Sequence, residues 1–395
     1  MSAAAERPST AALVARCQEL FDDLDFTSAR AWKAAAPGRK VVAYMPIYVP
    51  REIIHAAGML PLGILGGGEN MEVIHGDAYY QSYICRIPRS TLELGITGRL
   101  DFVDGFLFPS ICDVIRNLSG IWKLLFPKVY VRYFDVPQNF ASGIGGSYYV
   151  EELRELKEGL EGVAGRRISD GDLRASIALY NQNRRLVGEL YALRAEKPWL
   201  APTSEVYLVV RAGMVLPVEE HSRLLEDYLA AARAEARSMR DNCRVVVNGV
   251  FCEQPPLNLI KAIEMSGCYV VDDDFMLVSR WIEGEVPTDG DPLEQLSEAF
   301  LHRSMETSAK YQPRLDEKGR YLLDSVRKSG AEGVIFAAPS FCDPALLERP
   351  MLEKRLEAAL VPHIGFKYAE NSGQMQPVRE QAGAFADSIK LWSAP

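Results

Sequence analysis

Apolar positions along the chain fall into short solid runs and longer stretches of helical spacing, in an order that repeats. Leu13, Cys17, Leu20 and Leu24 keep a helical spacing within residues 10–35 until "APGRK" breaks it, so one N-terminal helix is predicted there. "KVVAYMP" (40–46) is a short β-branched run, "PREIIHAAGM" a helix with Pro50 suited to its first position, and "LPLGIL" a second run. Past a glycine loop at Gly66 to Gly68, Pro88 reads as the start of a helix carrying Ser90 to Leu94. "FVDGFLF" and "PKVYVRYFDVP" then repeat the strand pattern around a helix from about Asp113. Short buried runs alternating with helices predict parallel βαβ units.

The middle of the chain is different. From about Tyr148 to Arg194 the periodicity is helical, and Ser169 with Asp172 three residues later forms a plausible capping box. After it the first plan returns: "RVVVNGVFCEQPPLNLIKAIEMSGCYVVDDD" repeats strand, proline, helix, small residue, strand. "AEGVIFAAPSFCDPALLERPMLEKRLEAALVPHIGFKY" likewise repeats "VDGFLFPSICDVIRNLSGIWKLLFPKVYVRYF". The expected fold is α/β: two similar doubly wound parallel-sheet (Rossmann-like) domains with an N-terminal helix and a helical connector. The boundaries read as 1–38 for the N-terminal helical segment, 39–146 for the first α/β domain, 147–200 for the connector and 201–395 for the second.

Composition narrows the function. The chain has 395 residues, 48% hydrophobic and 25% charged, which suits an ordinary globular protein of two or three domains. Its start, "MSAAAERPST", lacks the basic and apolar segments of a secretory signal, and no apolar run approaches the ~20 residues of a membrane span. A cytoplasmic location is expected. A net charge of −9 argues against a nucleic-acid surface, though an anionic coenzyme A thioester can still bind through a local basic pocket.

Chemistry centres on seven cysteines: Cys17, Cys85, Cys112, Cys243, Cys252, Cys268 and Cys342. An odd number in a cytoplasmic chain argues against a disulfide framework, and without any C-x-x-C pair a metal site must be assembled from distant segments. Cys112 and Cys342 occupy the same place in two copies of one motif, "PSICD" and "PSFCD", after a predicted strand and before a predicted helix. Asp343 and Pro344 read as N-cap and first helical residue, which sets Cys342 beside a helix N-terminus. Cys85 lies in the loop before the Ser90 helix. Helix N-termini favour thiolates, and ligands of open parallel sheets collect beyond the carboxyl ends of strands. Three such thiols converging from two domains suit an anionic iron–sulfur cluster. A cysteine at a strand end is often only a small buried hydrophobe, and the repeated motif weighs against that here. Cys17, Cys243 and Cys268 read as packing residues, the last in a helix-to-strand turn. Cys252 stands open between packing and a fourth ligand.

Weaker signals surround these. "GILGGGEN" and "ASGIGGS" match neither the dinucleotide nor the P-loop pattern and read as loops. His55 and His75 have the chemistry of proton donors but the commoner fate of packed or solvated residues. Arg86, Arg89 and Arg116 flank the thiol segments, where they can meet an anionic thioester or simply sit on the surface.

Taken together, "PREIIHAAGMLP", the Cys85 loop, "VDGFLFPSICD", "DLRASIALYNQNRRL", "PSFCDP" and "ENSGQMQPVREQAGAFAD" resemble the 2-hydroxyacyl-coenzyme A dehydratase family. That family includes the cluster-bearing subunits of ATP-dependent benzoyl-coenzyme A reductase, and the chain's length is like the shorter of those. The resemblance runs from about residue 40 onward. It implies a [4Fe-4S] cluster held by Cys85, Cys112 and Cys342, and pairing with a related cluster-bearing subunit. It further implies an ATP-hydrolysing iron–sulfur activase supplied by ferredoxin, and an acyl-CoA substrate. Dehydratase relatives commonly have Cys-Pro after the first ligand, where this chain has "CRIPR", so the reductase branch is expected. The alternatives are a lyase, as one component of a 2-hydroxyacyl-CoA dehydratase, and a cluster-free protein that only binds an acyl thioester.

Overall fold

The computed structural model describes residues 8–45, 47–68, 71–249, 254–308, 310, 314, 317–368 and 375–393. The first half comprises α1 (Thr10–Asp22), α2 (Thr27–Ala34), β1 (Val41–Tyr44), α3 (Arg51–Ala56), β2 (Leu60–Gly63), α4 (Arg86–Ile96), β3 (Gly105–Pro109), α5 (Asp113–Leu125) and β4 (Tyr130–Phe134). Four helices follow: α6 (Ser147–Ala164), α7 (Asp170–Glu196), α8 (Thr203–Ala212) and α9 (Val218–Ala234). The second half adds β5 (Cys243–Asn248), α10 (Leu257–Met265), β6 (Cys268–Asp273), α11 (Leu277–Arg280), α12 (Pro292–Arg303) and α13 (Arg320–Ser329). It closes with β7 (Gly333–Pro339), α14 (Asp343–Ala358), β8 (His363–Tyr368) and α15 (Gln376–Ser393).

Two all-parallel four-stranded sheets result, ordered β2-β1-β3-β4 and β6-β5-β7-β8. The repeated sequence plan is thus a repeated topology. Both faces of each sheet are covered, which is why the strands read as solid apolar runs rather than alternating ones. Val42, Tyr44 and Leu107 of the first sheet share one core with Val245, Val247, Ile335 and Ala337 of the second, joined by Leu153, Leu156, Ile177 and Leu190 of the connector helices. Alternate residues point the other way. Val41, Ala43, Phe106 and Phe108 pack around Trp122, while Val246, Val334 and Phe336 pack under α13 and α14. Gly95 lets α4 approach Trp122 on α5, for a Cβ there would stand 2.6 Å from the indole.

The connector starts as the capping-box pattern predicts, with the Ser169 and Asp172 side chains each accepting from the other's backbone N–H. It is tied to the first sheet by a buried ion pair, Arg184 on α7 to Glu52 on α3 at 2.7 Å. Two local expectations need correction. The N-terminal segment is two helices: Asp23 accepts from the amides of Asp25 and Thr27, and Phe26 between them is left-handed at φ 53°, which ends one helix and starts the next. "ASGIGGS" is not a plain loop. The amides of Ile144, Gly145 and Gly146 converge on the Ala141 carbonyl and wind Ser142–Gly146 into a π-helical turn that runs into α6.

Candidate functional site

The two P-S-x-C-D segments fold alike, atom for atom where it matters. Pro109 ends β3 opposite Phe134, and Pro339 ends β7 opposite Tyr368. The next amide, of Ser110 or Ser340, donates to the carbonyl of that opposing residue at 2.9 Å and 2.8 Å respectively. The chain then turns, and the cysteine becomes the N-cap of the following helix: Cys112 for α5 and Cys342 for α14. Asp343 is accordingly the first helical residue rather than the N-cap, and Pro344 the second. Cys85 stands in the same relation to α4, which begins at Arg86, two residues before Pro88. All three predicted thiols therefore sit at helix N-caps, two from the first half and one from the second.

Around Cys85 the structure is pinned by residues whose roles the sequence pattern does not reveal. Glu93 on α4 is buried and accepts from the amides of Ile74 and Gly76 at 3.0 and 2.8 Å, and from His75 Nδ1 at 2.9 Å. Burial pushes its carboxyl up, but these bonds outweigh that and hold it below the usual range. Arg86 donates to the Gly68 and Met71 carbonyls, Arg89 to Asp77 at 2.9 Å, and Ser90 Oγ accepts from the Gly67 amide. Gly66, at φ +73°, lies so close that a Cβ would meet Ser90 Oγ at 2.3 Å. Arg86 and Arg89 thus hold their own loop, and Arg116 is exposed on the first turn of α5. His55 bonds Ser176 and Glu219 between connector helices, so it serves packing there.

Electrostatics link the three thiols. Cys112 feels Cys342 across the two halves, and the phenol of Tyr80 feels both Cys85 and Cys112. Burial raises the Cys112 thiol; the nearby amides of Ile115 and Val114 oppose this without closing a capping bond, and burial wins. That corrects the expectation of a thiolate favoured by the helix end alone. A thiol held protonated makes a poor nucleophile but remains a good ligand, since a bound cation removes its proton. Tyr80 Oη is enclosed with no hydrogen-bond partner among the described residues. Tyr79 and Tyr83 beside it are exposed, and nothing in the pattern "AYYQSYIC" tells which ring turns inward. Among the described residues no three His, Cys, Asp or Glu side chains stand close enough to hold one metal ion. A polynuclear cluster separates its thiolates more widely than a single ion does, and three soft sulfurs plus an unmatched donor form a set suited to it.

The remaining cysteines do other things. Cys17 is buried on α1, and burial pushes its thiol up to about 12. Cys268 is the first residue of β6 rather than part of a turn, paired with Cys243. Cys252 lies outside the described residues. A cleft of about 1130 Å³ opens between α7 and the carboxyl ends of β5 and β6, lined in part by Asn248, Asp272, Asp273, Asp274 and Arg280. None of the three thiols lines it, and Arg280 faces Asp272 at 3.5 Å, so its acidic floor does not favour phosphates. No described helix is long and apolar enough to cross a membrane.

Known proteins resemble this chain along nearly its whole length. It is 68% identical over 385 residues to the shorter-type component of benzoyl-CoA reductase, designated C, from Thauera aromatica, covering 98% of this chain and 100% of that one. The beta subunit of (R)-2-hydroxyglutaryl-CoA dehydratase from Acidaminococcus fermentans is 30% identical over 90% of this chain and 94% of its own. The beta subunit of (R)-phenyllactyl-CoA dehydratase from Clostridium sporogenes is 26% identical over 89% and 92%. The family model described as 2-hydroxyglutaryl-CoA dehydratase, D-component, matches residues 46–389. The chain belongs to that family.

Proposed function

We propose that this chain is the smaller iron–sulfur subunit of an ATP-dependent benzoyl-CoA reductase, an oxidoreductase that reduces the aromatic ring of benzoyl-CoA to a cyclohexadiene-carbonyl-CoA. One observation carries the choice within the family: 68% identity over nearly the whole chain to a reductase subunit, against 30% and 26% to two dehydratase subunits. The dehydratase reading gains no comparable support. Cys85, Cys112 and Cys342 would hold a [4Fe-4S] cluster, which when bound supplies low-potential single-electron chemistry. The chain's own part is to present three thiols on three helix N-termini, where oriented amides favour negative charge, and to shield them from water by burial. Glu93 and Arg86 fix the segment that delivers Cys85.

The same proposal includes a related cluster-bearing partner, activase subunits that hydrolyse ATP, ferredoxin as donor and a cytoplasmic setting. It also keeps the four-part division at 1–38, 39–146, 147–200 and 201–395. Anaerobic purification of the assembly tests it. A brown protein with broad absorption near 400 nm and about four irons in this chain, accompanied by one related subunit and two activase-type subunits, supports it. ATP-dependent loss of benzoyl-CoA to a dienoyl thioester completes the case. Dehydration of a 2-hydroxyacyl thioester, with no ring reduction, would contradict it.

A further inference from the structure

Tyr80 sits five residues before Cys85, where an extended backbone (φ −135°, ψ 151°) leaves the short helical turn Gly76–Tyr79. Its ring packs against the same core as Cys112, on the side of the first sheet that holds Phe106, Phe108 and Trp122. Its neighbours Tyr79 and Tyr83 are 45% and 63% exposed, so the inward turn is specific to this ring. At the end of the ring, Oη is closed off from solvent and bonds to nothing among the described residues. Burial, then Cys85 and Cys112, raise the phenol above its ordinary value, so both sulfurs lie within electrostatic reach of Oη. A buried hydroxyl without a partner is costly, and a phenol donates well to anionic sulfur.

We propose that the Tyr80 hydroxyl donates a hydrogen bond to the sulfurs of the cluster held by Cys85, Cys112 and Cys342, and so sets how readily that cluster accepts an electron. This rests on the cluster reading above. A donor aimed at cluster sulfur stabilises the reduced, more negative state, so its loss drives the potential down. Tyr80 is a positioning residue: it gives up no proton and touches no substrate in this role.

The test compares wild-type, Tyr80→Phe and Tyr79→Phe proteins in the anaerobic complex by iron content, redox titration followed by electron paramagnetic resonance, and pulsed measurements of exchangeable-proton coupling in H2O and D2O. Tyr80→Phe should keep its iron, titrate at a more negative midpoint and lose one exchangeable coupling, while Tyr79→Phe matches wild type. An iron-replete Tyr80→Phe with unmoved midpoint and coupling overturns the Tyr80 assignment alone. An iron-free wild type overturns the cluster reading and this proposal with it. Should Tyr80→Phe assemble poorly, the wild-type coupling decides: no exchangeable proton near the cluster overturns the assignment.

Discussion

Cys243 and Cys268 are the first residues of neighbouring parallel strands, directly paired in register, with their Sγ atoms 3.6 Å apart in the core. Each is 1% exposed. The Cys268 thiol, bonded to Cys243 and buried, is pushed well above the usual range. The pair packs; it has no place beside the three N-cap thiols.

Serine at either position should therefore cost about 1–3 kcal/mol, the penalty for a hydroxyl in an apolar site, and leave iron content unchanged. Urea denaturation midpoints and iron analysis on the same samples check both halves.

Glu93 carries the segment of residues 74–76 through three accepted hydrogen bonds. Glu93→Gln turns an NH2 group toward amides that need an acceptor, and should cost about 1–3 kcal/mol. Limited proteolysis should cut within residues 71–85 faster than in wild type, and a chelator should remove iron faster. Equal rates would show that the segment is held by something else.

Glu161, nearly buried at the end of α6, accepts from the Ile168 amide, Lys157 and Arg167. Burial raises its carboxyl, these bonds more than reverse that, and it is held at about 2, below the ordinary 4.5. The unfolded chain thus binds a proton more readily than the folded one. Its stabilisation is fully present above pH 4.5 and drains away as pH falls toward 2. Stability measured between about pH 6 and 3 should decline less steeply in Glu161→Gln than in wild type, and that variant should be weaker at about pH 6.

The strands are legible in the sequence because each is a solid apolar run between breakers, and burial on both faces is what such a run encodes. The cysteine positions are legible because P-S-x-C-D repeats. What is not legible depends on register and on rings turning. Nothing in the sequence marks Cys243 as the partner of Cys268, since that follows from pairing two strands 25 residues apart. Phe26 gives no sign of its left-handed backbone, for aromatic residues rarely adopt it. Tyr80 stands among three tyrosines of equal promise. Arg86 and Arg89 look like anion ligands because charge is visible in a sequence and the groups it serves are not.

The claim that three thiols from two sheets serve one cluster is tested most directly by iron and acid-labile sulfide content in Cys342→Ser, purified anaerobically. Cys342 is the decisive choice because it comes from the second half, whereas Cys85 and Cys112 come from the first. Cluster loss there, in a chain whose circular dichroism and gel-filtration volume match wild type, is the predicted result, with the same loss in Cys85→Ser and Cys112→Ser. A hard hydroxyl replacing a soft thiolate accounts for it. Full iron and sulfide in folded Cys342→Ser would contradict the account.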